Sequence, residues 1–223
     1  MNKRELKTLL YEQVARIGKA LSSPKRLELL ELLAQGEKTV ERLAAEASID
    51  IRLASAHLKT LRDARLVESR REGRFIAYRL SGDDISALWV NLREVAETHL
   101  VELRLALANL FTGPERLDTE TRLSLLEKAR RGDVVVLDVR PAEEYLTGHL
   151  PYARSMPLAE IRQRLAELPV GKEIVAYCRG PFCMLSAEAV QLLRERGHTA
   201  YKISDGLPEW LAAGLPVEQG ESQ

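Results

Sequence analysis

Apolar residues in the first third of the chain recur every three to four positions, the spacing that places them on one face of a helix. In the first helix they are Leu6, Leu9, Leu10, Val14, Ile17 and Leu21. Ser22-Ser23-Pro24 ends this helix and begins a second one, which runs to Gly36. Thr39 and Asp50 are expected to cap two further helices, VERLAAEA and IRLASAHLKTLRDAR. In the last helix the residues predicted to face inward are Ile51, Leu53, Leu58 and Leu61.

The segment LVESRREGRFIAYRL alternates in a way that predicts a two-stranded hairpin around Glu72-Gly73. Short helices followed by a basic hairpin describe a winged helix-turn-helix, in which the second helix of the pair enters the DNA major groove. On that helix the small residues Ala54, Ser55 and Ala56 are expected to let the backbone approach the bases. The wing arginines are expected to meet phosphates or the minor groove.

Basic residues are concentrated in this region, although the formal net charge of the 223-residue chain is zero. Residues 51–80 hold eight basic side chains against three acidic ones. An excess of basic residues of this size also occurs on an ordinary solvated face. The predicted winged helix-turn-helix is what favours DNA binding. The predicted DNA-facing residues are Arg52, Ser55, His57, Lys59 and Arg62 on the helix and Arg70, Arg71 and Arg74 on the hairpin.

A long helix is predicted from Asp83 to Phe111, with one apolar stripe. The stripe consists of Ile85, Leu88, Trp89, Leu92, Val95, Ala96, His99, Leu103, Leu107 and Leu110. A helix this long has few partners in a small domain, so we expect it to pack against a second copy of itself.

Residues 1–110 resemble the ArsR-type family of dimeric repressors, on the strength of KALSSPKRLELLELL, SAHLKTLRDARLVESRREGRFIAYRL and the terminal helices. The resemblance implies a DNA-contact role for Ser55, His57 and Lys59 and a homodimer formed through the first helix and the 83–111 helix. It does not extend to metal sensing. The segment Thr39–Ala47 lacks the family's cysteines, and His99 with Glu102 supplies only half of a second known site. No metal site is predicted, and His99 is expected to be a packed interface residue.

Gly113-Pro114 ends the long helix, and an alternation of strands and helices follows. The predicted strands are DVVVLDV, EIVAYC and TAYKIS, and the predicted helices are LAEIRQRLAEL, SAEAVQLLRERG and GLPEWLAAG. This alternation of strands and helices indicates an α/β domain with a parallel sheet, and its functional site is expected at the carboxyl ends of the strands. The predicted organisation is a mainly α winged-helix domain (1–112), a linker (113–118) and an α/β domain (119–223).

Cys178 and Cys183, the two cysteines of the chain, flank the loop RGPF between a predicted strand and a predicted helix. Backbone N–H groups of the loop and the positive end of a helix beginning near Met184 can point at the Cys178 sulfur, and Arg179 adds a nearby cation. Such a setting lowers the pKa of a thiol and favours a nucleophilic thiolate. The alternative is that Cys178 is a small buried residue at a strand end.

Residues 119–219 resemble the rhodanese family of sulfurtransferases through LDVRPAEEYLTGHLPYARSMPL, YCRGPFCMLSAEAV and DGLPEW. The resemblance implies that Cys178 accepts a sulfane sulfur as a persulfide, within an active-site loop that includes Gly180, Pro181 and Phe182. It implies supporting roles for Asp138, Arg140, Glu144 and His149. The chain departs from the family at Tyr152, where glycine is common, and at Cys183.

Cys183 has two possible roles. It could attack a persulfide on Cys178, either releasing sulfide and leaving a disulfide or joining Cys178 through a sulfur chain, or it could only help close the loop. Phosphatase or arsenate-reductase chemistry on the same architecture needs an arginine where Met184 stands.

The sequence therefore predicts a DNA-binding repressor that responds to reactive sulfur, with thiol chemistry at Cys178 and Cys183 altering its DNA affinity. Its predicted partners are double-stranded DNA, a second copy of the chain and a sulfane-sulfur donor. Two alternatives are a sulfurtransferase with an accessory DNA-binding domain, and a regulator whose second domain binds a ligand or partner without turnover. No cofactor is expected. The absence of a long apolar run or a signal peptide predicts a cytoplasmic protein and no membrane partner.

Overall fold

The structure, a computed structural model, describes residues 1–110 and 122–220. The chain divides into two compact units, Met1–Trp89 and Val90–Gln223. The predicted linker at 113–118 lies outside the described residues, so the domain boundary at residue 112 stays a prediction.

The first unit is a helical cluster with a small antiparallel sheet. Its helices are α1 (Lys3–Leu21), α2 (Pro24–Leu33), α3 (Val40–Glu46) and α4 (Ile51–Asp63). Its strands are β1 (Lys38–Thr39), β2 (Val67–Glu72) and β3 (Phe75–Leu80), in the order β1-β3-β2. The winged helix-turn-helix prediction is confirmed, and β1 adds a third strand that the sequence did not reveal.

Both predicted N-caps are present. The Thr39 hydroxyl accepts the N–H of Arg42 at 3.3 Å, and the Asp50 carboxylate accepts the N–H of Arg52 at 2.8 Å. The two caps fix where α3 and α4 begin, and hence which side chains of α4 face the core.

The predicted inward face of α4 is half wrong. Leu58 and Leu61 are fully buried, but Ile51 and Leu53 are 43% and 46% exposed. Ala54 takes the core position one turn before Leu58, because residues four apart lie on the same face of a helix. Ala54 therefore lies on the core face of α4 and not on the exposed face where its small side chain was expected to let the backbone approach the bases.

The predicted 83–111 helix is two helices, α5 (Asp83–His99) and α6 (Val101–Leu110), and Phe111 lies outside the described residues. Helical hydrogen bonds continue across the junction, from the N–H of Leu100 to Ala96 and from the N–H of Arg104 to Leu100. The predicted apolar stripe is also divided. Trp89 is buried, whereas Leu88, Leu92, Val95 and His99 remain exposed.

The second unit contains a four-stranded parallel sheet, which confirms the predicted fold class. Its strands are β4 (Val134–Asp138), β5 (Arg154–Ser155), β6 (Glu173–Tyr177) and β7 (Ala200–Lys202), in the order β5-β4-β6-β7. The helices are α7 (Arg122–Arg131), α8 (Ala142–Thr147), α9 (Ile161–Arg164), α10 (Leu185–Glu195) and α11 (Leu207–Ala212). The predicted helix at 158–168 is only one α-helical turn, α9, between two 3-10 turns.

Apolar clusters cover both faces of this sheet. Strand β6 lies between β4 and β7, so its carboxyl end opens at the middle of the sheet edge, where ligands of parallel sheets bind.

Candidate functional site

The cysteine loop begins at the carboxyl end of β6. Cys178 follows Tyr177, the last residue of the strand, and Cys183 lies two residues before α10 begins at Leu185. The structure joins Cys178 and Cys183 in a disulfide with a Cα–Cα distance of 6.3 Å, within the range that disulfides span. The loop is thus short enough to hold the two sulfurs in direct reach of each other.

The bridged loop is closed and largely buried. Cys178 is 1% exposed and packs in the apolar cluster on one face of the sheet, whereas Cys183 is half-buried. The N–H of Cys183 donates to the carbonyl of Gly180 at 3.1 Å, so this N–H is used within the loop. Gly180 has a φ of +146°, a conformation that side chains rarely adopt. In the disulfide-bonded loop, Cys178 is thus a small buried residue at a strand end, which is the location that the alternative to a reactive thiolate predicted.

Arg179, predicted as a cation near the thiol, directs its guanidinium to Glu144. The two side chains form a bidentate pair at 2.6 and 3.0 Å, and Glu144 is buried. The charge of Arg179 is thereby balanced, and the pair connects Arg179, the residue directly after Cys178, to α8. The supporting role of Glu144 stays a prediction.

Asp138 and Arg140 form a fully buried pair that contacts Tyr177, the residue before the cysteine loop. Arg140 donates to both carboxylate oxygens of Asp138 at 2.5–3.1 Å, and the hydroxyl of Tyr177 donates to the same carboxylate at 2.5 Å. Burial would lower the pKa of Arg140, but the Asp138 carboxylate raises it above its usual value. Burial and the Asp138 charge raise the pKa of Tyr177 well above the usual value. The network therefore stays ionised at Arg140 and neutral at Tyr177.

His149 is a buried structural residue. Its Nδ1 lies 2.9 Å from the carbonyl of Tyr145, and the two rings stack with centroids 3.7 Å apart. The chain at His149 also forms an antiparallel bridge with Glu218. Asp138, Arg140, Glu144 and His149 are thus all buried and hydrogen-bonded, and their supporting roles stay a prediction.

Tyr152, which stands where the rhodanese family commonly has glycine, has a φ of +64°. Its backbone therefore keeps the left-handed conformation that favours glycine.

Sequence reasoning missed three residues that contact the loop: Gly206, Glu209 and Arg93. A Cβ on Gly206 would lie 2.5 Å from the carbonyl of Arg179 and 2.6 Å from that of Cys178. Glu209 accepts the N–H of Gly206 at 2.6 Å and pairs with Arg93 at 2.6 Å. Gly206 and Glu209 lie within the motif DGLPEW, to which the sequence analysis gave no role at the loop, and nothing in the sequence pointed to Arg93.

The predicted DNA-facing residues lie at the surface of the first unit. Arg52, Ser55, Lys59 and Arg62 are exposed on α4, and His57 is half-buried. Burial, together with the charge of Arg26, lowers the pKa of His57. His57 is consequently neutral near pH 7 and is suited to hydrogen bonding.

The hairpin arginines are exposed at the wing. β2 and β3 pair from Val67↔Leu80 to Glu72↔Phe75, so the turn is Gly73-Arg74 and not Glu72-Gly73. Gly73 has the positive φ that such a turn requires. Arg70 is paired with Glu37 at 2.5 Å, Arg71 donates to the Gly73 carbonyl, and Arg74 lies over the ring of Phe75. Arg70 must exchange a carboxylate for a phosphate to contact DNA.

No group of three or more metal-ligating side chains is brought together within residues 1–110 and 122–220. No helix in the same part of the chain combines the length and apolar character needed to cross a membrane.

Comparison with known proteins assigns both halves of the chain. Residues 23–69 match the family described as bacterial regulatory protein, arsR family, and residues 121–213 match the rhodanese-like domain. The HTH-type transcriptional regulator Rv0324 of Mycobacterium tuberculosis is 44% identical over 214 residues, which cover 96% of this chain and 94% of that protein.

Two further relatives each match one half. A sulfurtransferase of Allochromatium vinosum is 30% identical over 86 residues, 38% of this chain and 78% of that protein. A solution NMR structure, described as the homodimeric winged helix-turn-helix DNA-binding domain (fragment 1–100) of Mb0332 from Mycobacterium bovis, is 44% identical. It covers 45% of this chain and 91% of that chain, with a TM-score of 0.41.

The class that these observations define is a DNA-binding transcriptional regulator built from a winged helix and a rhodanese-like domain. Within that class, the chain belongs to the ArsR family of regulatory proteins, with a full-length relative in Rv0324.

Proposed function

We propose that this regulator is a repressor that senses reactive sulfur through the Cys178–Cys183 loop. The observation that carries the proposal is the pair of cysteines joined in one six-residue loop at the carboxyl end of β6, in a chain whose first unit is a winged helix. Cys178 is the acceptor and Cys183 the resolving thiol. The operator is double-stranded DNA, and as a DNA-binding regulator the protein acts in the cytoplasm.

The chemistry begins from the reduced loop. The Cys178 thiolate attacks the sulfane sulfur of a donor such as thiosulfate, forming Cys178–S–S⁻ and releasing sulfite. The Cys183 thiol then attacks the Sγ of Cys178, so that a disulfide forms and the sulfane sulfur leaves as HS⁻ with the proton of Cys183. The two cysteines are oxidised and the sulfane sulfur is reduced, so no other oxidant is needed.

Resetting the loop requires a low-molecular-weight thiol. Cys183 is the more exposed of the two cysteines, so a thiolate attacks its sulfur and expels the Cys178 thiolate, leaving a mixed disulfide on Cys183. The positive end of α10 favours that leaving group. A second molecule of the thiol then attacks this mixed disulfide, which releases the Cys183 thiolate and the disulfide of the small thiol. The buried Cys178 of the bridged form is protected from further donors until this reduction occurs.

DNA recognition is assigned to α4 and the wing. Ser55, His57 and Lys59 face the bases, with Arg52 and Arg62 beside them. Arg70, Arg71 and Arg74 contact the backbone. The protein acts as a dimer, formed through α1 and the α5–α6 segment, because both carry large apolar side chains that are exposed in the single chain.

The test uses the full-length protein and a duplex selected on its reduced form from a random-sequence pool. Wild type, Cys178→Ser and Cys183→Ser are treated with thiosulfate or polysulfide, and intact mass and DNA affinity are measured on the same samples. We expect Cys178→Ser to take up no sulfur. Cys183→Ser should retain a mass increase of one sulfur without a change in affinity, because only the bridge reshapes the loop.

Other outcomes discriminate among the alternatives. If Cys183→Ser switches as well as wild type, the persulfide alone is the signal. If no treatment changes DNA affinity in any variant, the sensing proposal is wrong.

The second candidate is a working sulfurtransferase with an accessory DNA-binding domain, favoured by the similarity to the A. vinosum sulfurtransferase. Steady-state transfer of sulfur from thiosulfate to cyanide separates this candidate from a sensor, which completes only one modification per reduction. A third candidate, a rhodanese-like domain that only binds a ligand, predicts neither turnover nor a mass change.

A further inference from the structure

A buried ion pair lies directly against the cysteine loop. Arg93 of α5 and Glu209 of α11 are 2.6 Å apart, and their side chains are 4% and 2% exposed. Both residues belong to the second unit, Val90–Gln223. Arg93 also contacts Glu97, one turn further along α5, at 3.1 Å. Neither Arg93 nor Glu97 lies within the segments that match the two families.

The loop contacts both members of this pair. A Cβ on Gly180 would be 3.3 Å from the Glu209 carboxylate and 3.6 Å from the Arg93 guanidinium, so the loop backbone passes immediately over the two charges. The Arg93 guanidinium carbon is 5.9 Å from the centre of the Phe182 ring. Gly180 and Phe182, in the middle of the loop, therefore both lie next to the Arg93 guanidinium.

Glu209 makes a second connection to the loop. Its carboxylate accepts the N–H of Gly206, and Gly206 lies against the backbone of Cys178 and Arg179. Burial raises the pKa of Glu209, while the charge of Arg93 opposes that rise. The start and the middle of the loop thus both depend on where the Glu209 carboxylate lies.

We infer that Arg93 is the positioning residue that couples the sulfur state of the Cys178–Cys183 loop to helix α5. This inference rests on the proposed sensing function and names the side chain that responds to the sulfur state of the loop. Arg93 takes no part in sulfur transfer. It holds Glu209 and the Gly180 backbone in the arrangement of the bridged state, and it transmits a change there to the helix that carries it.

The physical basis is the cost of leaving a buried charge without its partner. Opening the disulfide frees Gly180 and Phe182 to move. If the loop or Glu209 moves, the buried Arg93 guanidinium is separated from its carboxylate partner, which costs free energy. The guanidinium must then shift, and α5 with it. Asp83–His99 is one helix whose first seven residues belong to the first unit, so the displacement reaches the DNA-binding unit through covalent structure. The reduced and the bridged loop therefore favour different positions of helix α5, which is what coupling between the two units requires.

The test compares full-length wild type with Arg93→Met, Arg93→Lys and Glu97→Gln. For each protein, sulfur uptake is measured by intact mass, and DNA affinity is measured in the reduced and bridged states. We expect Arg93→Met to load sulfur and form the bridge while the affinity ratio between states falls to within about twofold of unity. Lysine keeps the charge without the planar fork, so Arg93→Lys should restore part of the ratio.

Glu97→Gln is the matched control, because it removes the other carboxylate from the same arginine and leaves the Glu209 contact intact. It should keep the wild-type ratio. Arg93→Met leaves the buried Glu209 without its directly paired cation, so the double variant Arg93→Met/Glu209→Gln, which removes both charges of the pair, is measured if the single variant does not fold. It too should form the bridge and lose the affinity response.

The failures are distinguishable. If wild type does not change its DNA affinity, the sensing function itself is wrong. If wild type responds and the Arg93 variants respond equally, sensing stands and the coupling role of Arg93 is wrong. If Arg93→Met folds but cannot form the bridge, Arg93 only shapes the loop and the inference is overturned.

Discussion

At the scale of single residues, Gly206 illustrates a position where a side chain has no space. Its ideal Cβ would approach the carbonyls of Cys178 and Arg179 to 2.5–2.6 Å, which are backbone atoms that cannot move aside. We predict that Gly206→Ala lowers the free energy of unfolding by about 1–3 kcal/mol, as overpacking does. It should also slow sulfur uptake at Cys178, because the loop must shift.

Chemical denaturation and timed intact-mass measurements test this prediction. Gly18→Ala is the control, since a Cβ on Gly18 meets nothing within 4 Å in helix α1. Equal stability of Gly206→Ala and wild type would contradict the close approach.

Asp138 is the second residue whose loss should be severe. Asp138→Asn removes the negative charge that is hydrogen-bonded to the fully buried guanidinium of Arg140. Breaking a buried pair in this way costs about 3–5 kcal/mol. We therefore predict a large fall in the denaturation midpoint.

The control for this prediction is Asp133→Asn, which removes a carboxylate from the exposed Arg131 at 3.1 Å. Exposed pairs contribute roughly 0–1 kcal/mol. A similar effect of the two substitutions would show that burial of the Asp138 pair does not matter.

At the scale of elements, α4 and the β2–β3 hairpin are predicted to do different work. Arg74 carries a full charge at the wing turn, so Arg74→Ala should weaken binding to all duplexes similarly and reduce the salt slope by about one. His57 is neutral near pH 7 because its pKa is lowered, so His57→Ala should leave the salt slope unchanged. It should instead reduce discrimination between sites, as should Ser55→Ala.

Titrations of the selected duplex and a scrambled duplex at several salt concentrations separate these effects. A steep change of salt slope in His57→Ala would indicate that this side chain binds DNA as a cation.

The sequence predicted elements well where local chemistry determines them. Thr39 and Asp50 cap α3 and α4 as their side chains suggest, and α10 begins next to Met184 as expected. Burial was predicted less well, because it depends on neighbours from elsewhere in the chain. Periodicity alone could not show that Ala54 takes the core position for which Leu53 was expected.

At the scale of the whole molecule, the two family resemblances predicted the order and class of both units. They could not predict contacts between residues that are far apart in sequence and belong to no shared motif. Arg93 and Glu209 are 116 residues apart, and Arg93 lay on a helix predicted only to mediate dimerisation. The disulfide was easier to anticipate, since its two cysteines are separated by only five positions.

The last prediction concerns the assembly. Helix α1 presents Leu6, Leu10 and Val14, at 44%, 60% and 70% exposure, on one face. An apolar face of this kind on a DNA-binding unit fits a second copy, since the symmetry of a dimer matches that of a two-half-site operator. Val14→Asp should place a charge in that interface, shift the protein to monomer in analytical ultracentrifugation, and weaken operator binding at least tenfold.

Thr8→Asp is the control, because it adds the same charge on the other side of α1, about 160° around the helix from Leu6. It should leave both mass and affinity near the wild-type values. Val14→Asp that remains dimeric would exclude α1 from the interface, whereas a monomeric Val14→Asp that binds the operator as tightly as wild type would separate DNA binding from dimerisation. Retained sulfur uptake in a monomeric Val14→Asp would also show that the cysteine loop works within one chain, as its position in the second unit predicts.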